Sequence, residues 1–199
     1  MNFLAHAYLS FDEPEILAGN MISDFVKGKK QYDYAPLIQK GIRLHRAIDT
    51  FTDDHPCTKE IKKFFSPAYR LYAGAFTDIV YDYFLANDPR AFPSAADLEN
   101  FTRRAYTQLA QNLYVMPAGF QQVFPHMQKY NWLYNYRFDW GIRKSFNGMA
   151  SRAKYITESD TAYIVFMSNL HLMQPWYDEF FPMLKKYAAA TLEELLNTD

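Results

Sequence analysis

PLIQKGIRLHRAIDTFT, from Pro36 to Thr52, reads as one amphipathic helix. Proline is tolerated in its first turn, where a backbone N–H would have no helical partner. Leu37, Gly41, Leu44, Ile48 and Phe51 form one stripe at helical spacing, and Ile38, Ile42, His45 and Asp49 form the next. The apolar arc is wide, so His45 and Asp49 continue a stripe that turns inward. An imidazole and a carboxylate one turn apart share a face. Among apolar neighbours their charge needs a partner.

The same period runs outward along the chain. Asp12-Glu13-Pro14-Glu15 predicts a helix to about Val26, with Asp12 as cap and acids suited to the N-terminal dipole. Lys27-Gly28-Lys29-Lys30 stops it. Pro56 opens a short helix to about Phe65. A fourth, from about Pro67 to Ala86, sets Leu71, Ala75, Asp78, Asp82 and Leu85 on one side, and Asn87-Asp88-Pro89 ends it. Ser94 caps a helix to about Leu113, with Asp97 in the capping-box position. Helices near 119–130, 132–145 and 159–189 follow, the last kinked or split by Pro175 and Pro182. Seven glycines, and no hairpin turn between alternating runs, leave little room for sheet. The expectation is an all-α fold, with residues 1–199 forming a single helical domain.

Composition narrows the function. With 21 basic and 22 acidic residues the net charge is −1, which argues against a general nucleic-acid binder. The single cysteine, Cys57, allows no intrachain disulfide and has no second thiol to join it in a structural zinc site. The N-terminal run lacks a basic region before an apolar stretch, and no segment approaches a membrane span. A cytoplasmic protein is expected. Aromatics make up 18% of the chain, enough to fill helix interfaces or to line a groove.

Six polar residues stand out against this apolar background: His6, Asp24, His45, Asp49, Asp78 and Asp82. Asp78 and Asp82 repeat the one-turn spacing on a second helix. Carboxylates and neutral imidazoles converging from separate helices suit Mn²⁺ or Fe²⁺, and carboxylates with few histidines suit Mg²⁺. The plainer reading of each residue alone is a local ion pair, a cap or a satisfied core histidine.

Four blocks carry a resemblance. Met1-Asn2-Phe3-Leu4-Ala5-His6 opens the chain. The runs Gly19 to Gly28 (GNMISDFVKG) and Gly41 to Asp49 (GIRLHRAID) follow, then Asp78 to Leu85 (DIVYDYFL). Phe146-Asn147-Gly148-Met149-Ala150 adds a fifth segment. Together they resemble the bacterial acyl-carrier-protein phosphodiesterases, a divergent branch of the all-helical, metal-dependent HD phosphohydrolases. The resemblance implies an HD-like helical bundle and a divalent metal, usually Mn²⁺. It also implies hydrolysis of the 4′-phosphopantetheine arm from holo acyl carrier protein to give the apo form, an activity linked to fatty acid biosynthesis. The adjacent His-Asp doublet of HD proteins is missing. His45 is followed by Arg46, and Asp24 is the acid expected in the doublet's place.

On that footing Asp24, His45 and Asp82 are the first-choice ligands, and His6, Asp49 and Asp78 are second-choice or outer partners. Arg46 would offset charge on the phosphate. An acidic carrier calls for a basic docking surface. Residues 27–46 hold Lys27, Lys29, Lys30, Lys40, Arg43 and Arg46 against Asp33 alone, net +5. A second cluster holds Arg137, Arg143, Lys144, Arg152 and Lys154 against Asp139, net +4. Two other readings stand beside this one: an HD-like hydrolase of a small phosphate ester or nucleotide, and a non-catalytic helical binding module.

Overall fold

The computed structural model describes residues 1–198. In chain order the helices are α1 (Phe3–Tyr8), α2 (Pro14–Ile22), α3 (Pro36–Asp54), α4 (Pro56–Tyr69), α5 (Ala73–Ala86), α6 (Ala95–Asn112), α7 (Ala118–Lys129), α8 (Trp132–Asn135), α9 (Asp139–Arg152) and α10 (Asp160–Asn197). Short 3₁₀ turns cover Ser23–Phe25 and Gly28–Asp33. There is no strand among the described residues, as the glycine-poor, helix-period sequence predicts. No helix among them is long and apolar enough to cross a membrane.

α2 is the axis of the molecule. Ile16 to Ile22 are all buried, and the helix packs against α1, α3 and α6. Its closest neighbour is α3, and glycine makes the approach possible. A Cβ on Gly19 would clash with the Ile38 carbonyl oxygen and stand 2.9 Å from the Gly41 Cα. A Cβ on Gly41 would clash with the Ile16 carbonyl oxygen. The two backbones therefore touch, and residues on either side of this contact are held at fixed distance. α10 lies across α3, α4, α5 and α9 as an outer brace. Most of the largest aromatics, among them Phe65, Phe76, Tyr81, Phe146, Phe166, Tyr177 and Phe180, are fully buried between helices. They fill the core rather than a channel.

Several boundaries differ from expectation for identifiable reasons. Asp12 does not cap α2. It takes a left-handed backbone conformation (φ 61°), and Glu13 holds the cap position without a side-chain bond. α4 runs through Pro67 to Tyr69. Pro67 and Lys63, whose carbonyl it leaves without a helical donor, are both exposed, so water can satisfy the group. The same holds in α10, which stays one helix through Pro175 and Pro182. Both prolines, and His171 and Asp178 four residues before them, lie on its exposed side. The segment expected as one helix from 132 to 145 is two, α8 and α9. Gly141 lets the start of α9 close onto the Asn135 carbonyl, where a Cβ would collide. Ser94 and Asp97 form the expected capping box on α6.

α1 exists because of a residue far away. Its own cap, Asn2, makes no side-chain bond. Instead Asp82, fully buried on α5, accepts the N–H of Leu4 at 2.8 Å and of Ala5 at 3.0 Å. These are orphan donors of the first helical turn. Burial pushes the Asp82 carboxyl up to about 7, against the two N–H bonds that favour its ionised form. A six-residue helix has little stability alone, so this long-range cap fixes the segment that carries His6. Asp82→Ala leaves two buried N–H groups unpaired, a loss of about 2–4 kcal/mol. Urea unfolding should show a lower midpoint with unchanged slope; a wild-type midpoint would refute the cap.

Candidate metal centre

Four of the six sequence candidates meet. His6 comes from α1, Asp24 from the 3₁₀ turn after α2, and His45 and Asp49 from successive turns of α3. His6 Nε2 lies 3.2 Å from Asp49 Oδ1. His45 Nε2 lies 3.1 Å from Asp49 Oδ2 and 3.3 Å from Asp24 Oδ1. Donor atoms of His6, His45 and Asp49 all fall within 4.8 Å of one another. The two imidazoles stack, with ring centres 3.8 Å apart and planes 12° apart.

Asn20 arranges both rings. Its Oδ1 meets His6 Nδ1 at 2.8 Å, and its backbone carbonyl meets His45 Nδ1 at 2.7 Å. Its Nδ2 donates to the His6 carbonyl at 2.9 Å and to Ser10 Oγ at 3.0 Å. Both Nδ1 atoms thus face oxygens that only accept, so each must carry the proton. In the neutral ring the lone pair is then on Nε2. Yet both Nε2 atoms are buried without a hydrogen-bond donor and look onto carboxylate oxygens. Lone pairs facing carboxylates at this range call for a positive charge between them. Two imidazole nitrogens and the Asp49 carboxylate are a fitting donor set for a divalent metal, with Asp24 reaching only His45, and the Nδ1 bonds are the outer-shell contacts that orient metal-binding histidines.

Without an ion, protons must serve. Burial opposes charge on His45, but Asp24 and Asp49 overcome it and raise the ring to about 9. Burial and then the charge on His45 lower His6 to about 4. A proton on each ring would set two charges 3.8 Å apart, a repulsion of about 4 kcal/mol at an effective dielectric of 20. One proton on His45 is therefore the stable count. The hydrogen bond to His45 holds Asp24 below the usual carboxylate range. Asp49 pays for its burial yet lies well below that range, because the Met1 ammonium and both histidines surround it.

Asp78 and Asp82 stand outside the cluster. Asp78 is one contact away: the buried Met1 ammonium touches Asp49 Oδ1 at 3.0 Å and Asp78 Oδ1 at 3.2 Å. Asp82 is committed to the α1 cap, so the structure does not bring this first-choice ligand to the others. Arg46 NH1 donates to Gln31 Oε1 at 2.7 Å and NH2 to the Val26 carbonyl at 3.3 Å, which fastens the segment following Asp24 to α3. Lys27, Lys29, Lys30 and Arg43 are exposed and form no ion pair among the described residues. Lys40 is half-buried, with Nζ on the Thr198 carbonyl at 2.9 Å. In the second basic cluster Arg143 is paired with Asp160 at 2.8 Å.

Asn20 was not among the sequence candidates. Its signal was visible: it is the one polar side chain in the buried run Ile16 to Ile22. Asn20→Leu removes the His6 acceptor and should weaken Mn²⁺ binding about 10–100-fold, read by calorimetry on a protein whose helicity is unchanged. Unaltered affinity would remove Asn20 from the centre. A pH dependence follows as well. Below about pH 9 an entering ion must displace the His45 proton, so affinity should rise about tenfold per pH unit between pH 6 and 8. Calorimetry in buffers of different ionisation enthalpy should show about one proton released per ion; a flat profile would contradict the shared lone-pair site.

A family model described as "Acyl carrier protein phosphodiesterase" matches residues 1–184. The acyl carrier protein phosphodiesterase of Serratia proteamaculans (strain 568) is 30% identical over 188 residues, covering 94% of this chain and 97% of the relative. That of Photorhabdus laumondii subsp. laumondii is 35% identical over 152 residues, covering 76% of this chain and 77% of the relative. No solved structure matches. The matched region takes in all four clustered residues, and the chain belongs to the acyl carrier protein phosphodiesterase family.

Proposed function

We propose that the protein hydrolyses the phosphodiester joining 4′-phosphopantetheine to a serine of holo acyl carrier protein, in one HD-like helical domain. The observation that carries this reading is the meeting of His6, Asp24, His45 and Asp49 around two unpaired imidazole lone pairs, in a chain of this family. Asp24 is 79% exposed and Asp49 36%, so the centre opens at the surface. That suits a phosphodiester presented on a folded protein better than a small ester enclosed in a pocket.

The bond that breaks joins phosphorus to the serine oxygen. Water supplies the new bond to phosphorus, and its proton ends on serine. His6, His45 and Asp49, with Asp24 beside His45, would hold a divalent ion, Mn²⁺ by this mixed nitrogen and oxygen set, which when bound would supply Lewis-acid polarisation of the phosphate and a more acidic water. The protein's own groups do the rest. Asn20 keeps both Nε2 lone pairs available. Asp24, the most exposed of the four, can accept a hydrogen bond from the attacking water and orient it. Arg46 braces the Asp24 turn, and its charge offsets that of the phosphate. In this reading His45 with Asp24 and Asp49 replaces the adjacent His-Asp doublet. Lys27, Lys29, Lys30 and Arg43 lie beside the Asp24 turn and would face the acidic carrier.

Purified protein incubated with holo acyl carrier protein and Mn²⁺ should release the arm, seen as apo carrier by intact mass. EDTA and Asp24→Ala should each abolish the conversion. An intact holo carrier after incubation with Mn²⁺, Mg²⁺ or Fe²⁺ would sink the reading. Reversing charge at Lys29, Lys30 and Arg43 should raise KM for the carrier about tenfold or more and flatten its salt dependence, with kcat little changed. A KM that does not move would exclude this face as the docking surface.

A further inference from the structure

A cleft of about 440 Å³ opens between α3, α4 and the start of α5; no residue of the candidate centre lines it, but two of its acids lead back to Asp49. One end is marked by Asp78 and Asp53. Asp53 lies one turn beyond Asp49 on α3, and Asp78 shares the Met1 ammonium with Asp49. The far end is marked by Arg70 and Leu71. Leu71 is 98% exposed, an unusual position for a leucine. Arg70, just before it, has φ 45° and ψ −112°, a backbone conformation that costs a non-glycine residue about 1–3 kcal/mol. The turn is thus held in a strained form that sets a bare apolar side chain at the mouth of the cleft.

The charge of the cleft separates it from the basic segment on the other side of the centre. Lys62 is paired with Asp53 at 2.6 Å, and Asp78 with the Met1 ammonium at 3.2 Å. Lys62 and Arg70 balance Asp53 and Asp78, so the cleft has no net charge to offer an acidic protein. It does offer what a neutral, flexible chain needs. Carboxylate oxygens can accept from amide N–H and hydroxyl groups, Ser66 adds a hydroxyl, and Leu71 supplies an apolar end. Gly74 keeps one wall low: a Cβ there would already sit 3.1 Å from Lys62 Cε.

We propose that this cleft is the subsite for the pantetheine arm of the substrate, with Gly74, Ser66 and Leu71 as its shaping residues. The inference rests on the proposed carrier-protein phosphodiesterase activity. Pantetheine is neutral, carries two amides, a hydroxyl and a methyl-branched segment, and ends in a thiol. With its phosphate at the centre, the arm runs along α4 and α5 toward Leu71, while the carrier itself sits over Lys27, Lys29, Lys30 and Arg43. The two halves of one substrate are thereby read by different chemistry on opposite sides of the bond to be cut.

Two variants narrow the cleft from opposite walls, Gly74→Leu on α5 and Ser66→Tyr on exposed α4. Each should raise KM for holo acyl carrier protein about tenfold or more with kcat within about twofold, and with unfolding midpoints at or above that of the wild type for Gly74→Leu. Pantetheine itself, added without phosphate or metal to ¹⁵N-labelled protein, should shift the amide signals of Gly74 and Ser66, and Gly74→Leu should abolish the shifts. Wild-type KM in both variants, or pantetheine shifts that fall elsewhere, would overturn the subsite. If the wild type leaves holo carrier intact yet pantetheine shifts Gly74 and Ser66, the cleft stands and the proposed activity falls.

Discussion

The contact between α2 and α3 at Gly19 and Gly41 governs the centre. Because the two backbones touch there, Asn20 on α2 reaches His45 on α3 with its main-chain carbonyl and His6 on α1 with its side chain. One residue therefore sets the proton position on two imidazoles. A side chain in place of either glycine would push the helices apart, and hydrogen bonds of 2.7–2.8 Å tolerate little displacement. The third anchor is Asp82, which has no place in the cluster yet holds α1, and with it His6, against α5. Backbone packing, a buried amide and a distant cap together do what none of the clustered residues could do alone.

That arrangement is unfavourable without a cation. Two lone pairs and two carboxylates share a pocket where burial penalises each charge. One proton on His45 and the Met1 ammonium at Asp49 relieve part of the repulsion. His6 Nε2, which stays unprotonated beside His45, still lacks a hydrogen-bond donor. Native proteins rarely leave buried polar atoms in that condition without a functional reason. The energy that holds the groups in place comes from the α2–α3 contact and the Asp82 cap, which is how a folded scaffold can keep mutually repelling donors in position.

Much of this was legible in the sequence. The two stripes of α3 predicted its buried face, and His45 and Asp49 were found because their one-turn spacing continued an apolar row. Asp78 and Asp82 obeyed the same rule yet serve otherwise. A buried acid announces that it needs a partner, but spacing does not say whether the partner is a metal, an ammonium or the first turn of another helix. Asp82 finds its donors 77 and 78 residues away, beyond any local pattern. Asn20 gives no such signal because an amide carries no charge, although it interrupts the buried run Ile16 to Ile22. Proline also failed to break two helices: α4 runs through Pro67, and α10 is not split at Pro175 or Pro182. The carbonyl each proline leaves without a donor belongs to an exposed residue, Lys63, His171 or Asp178, where water can replace the lost bond.

The surroundings of the centre are as unequal as its interior. Toward the Asp24 turn the protein presents unpaired lysines and an exposed arginine. On the other side Asp53 and Asp78 are each already matched by a cation. A single long ligand with one charged and one neutral half would bind across such a surface in only one direction. Reversed, its acidic half would lie over Asp53 and Asp78, and its neutral half would leave the basic face unmatched. Polarity of this kind discriminates by mismatch as much as by attraction, and it would orient the bond to be broken without any enclosing pocket.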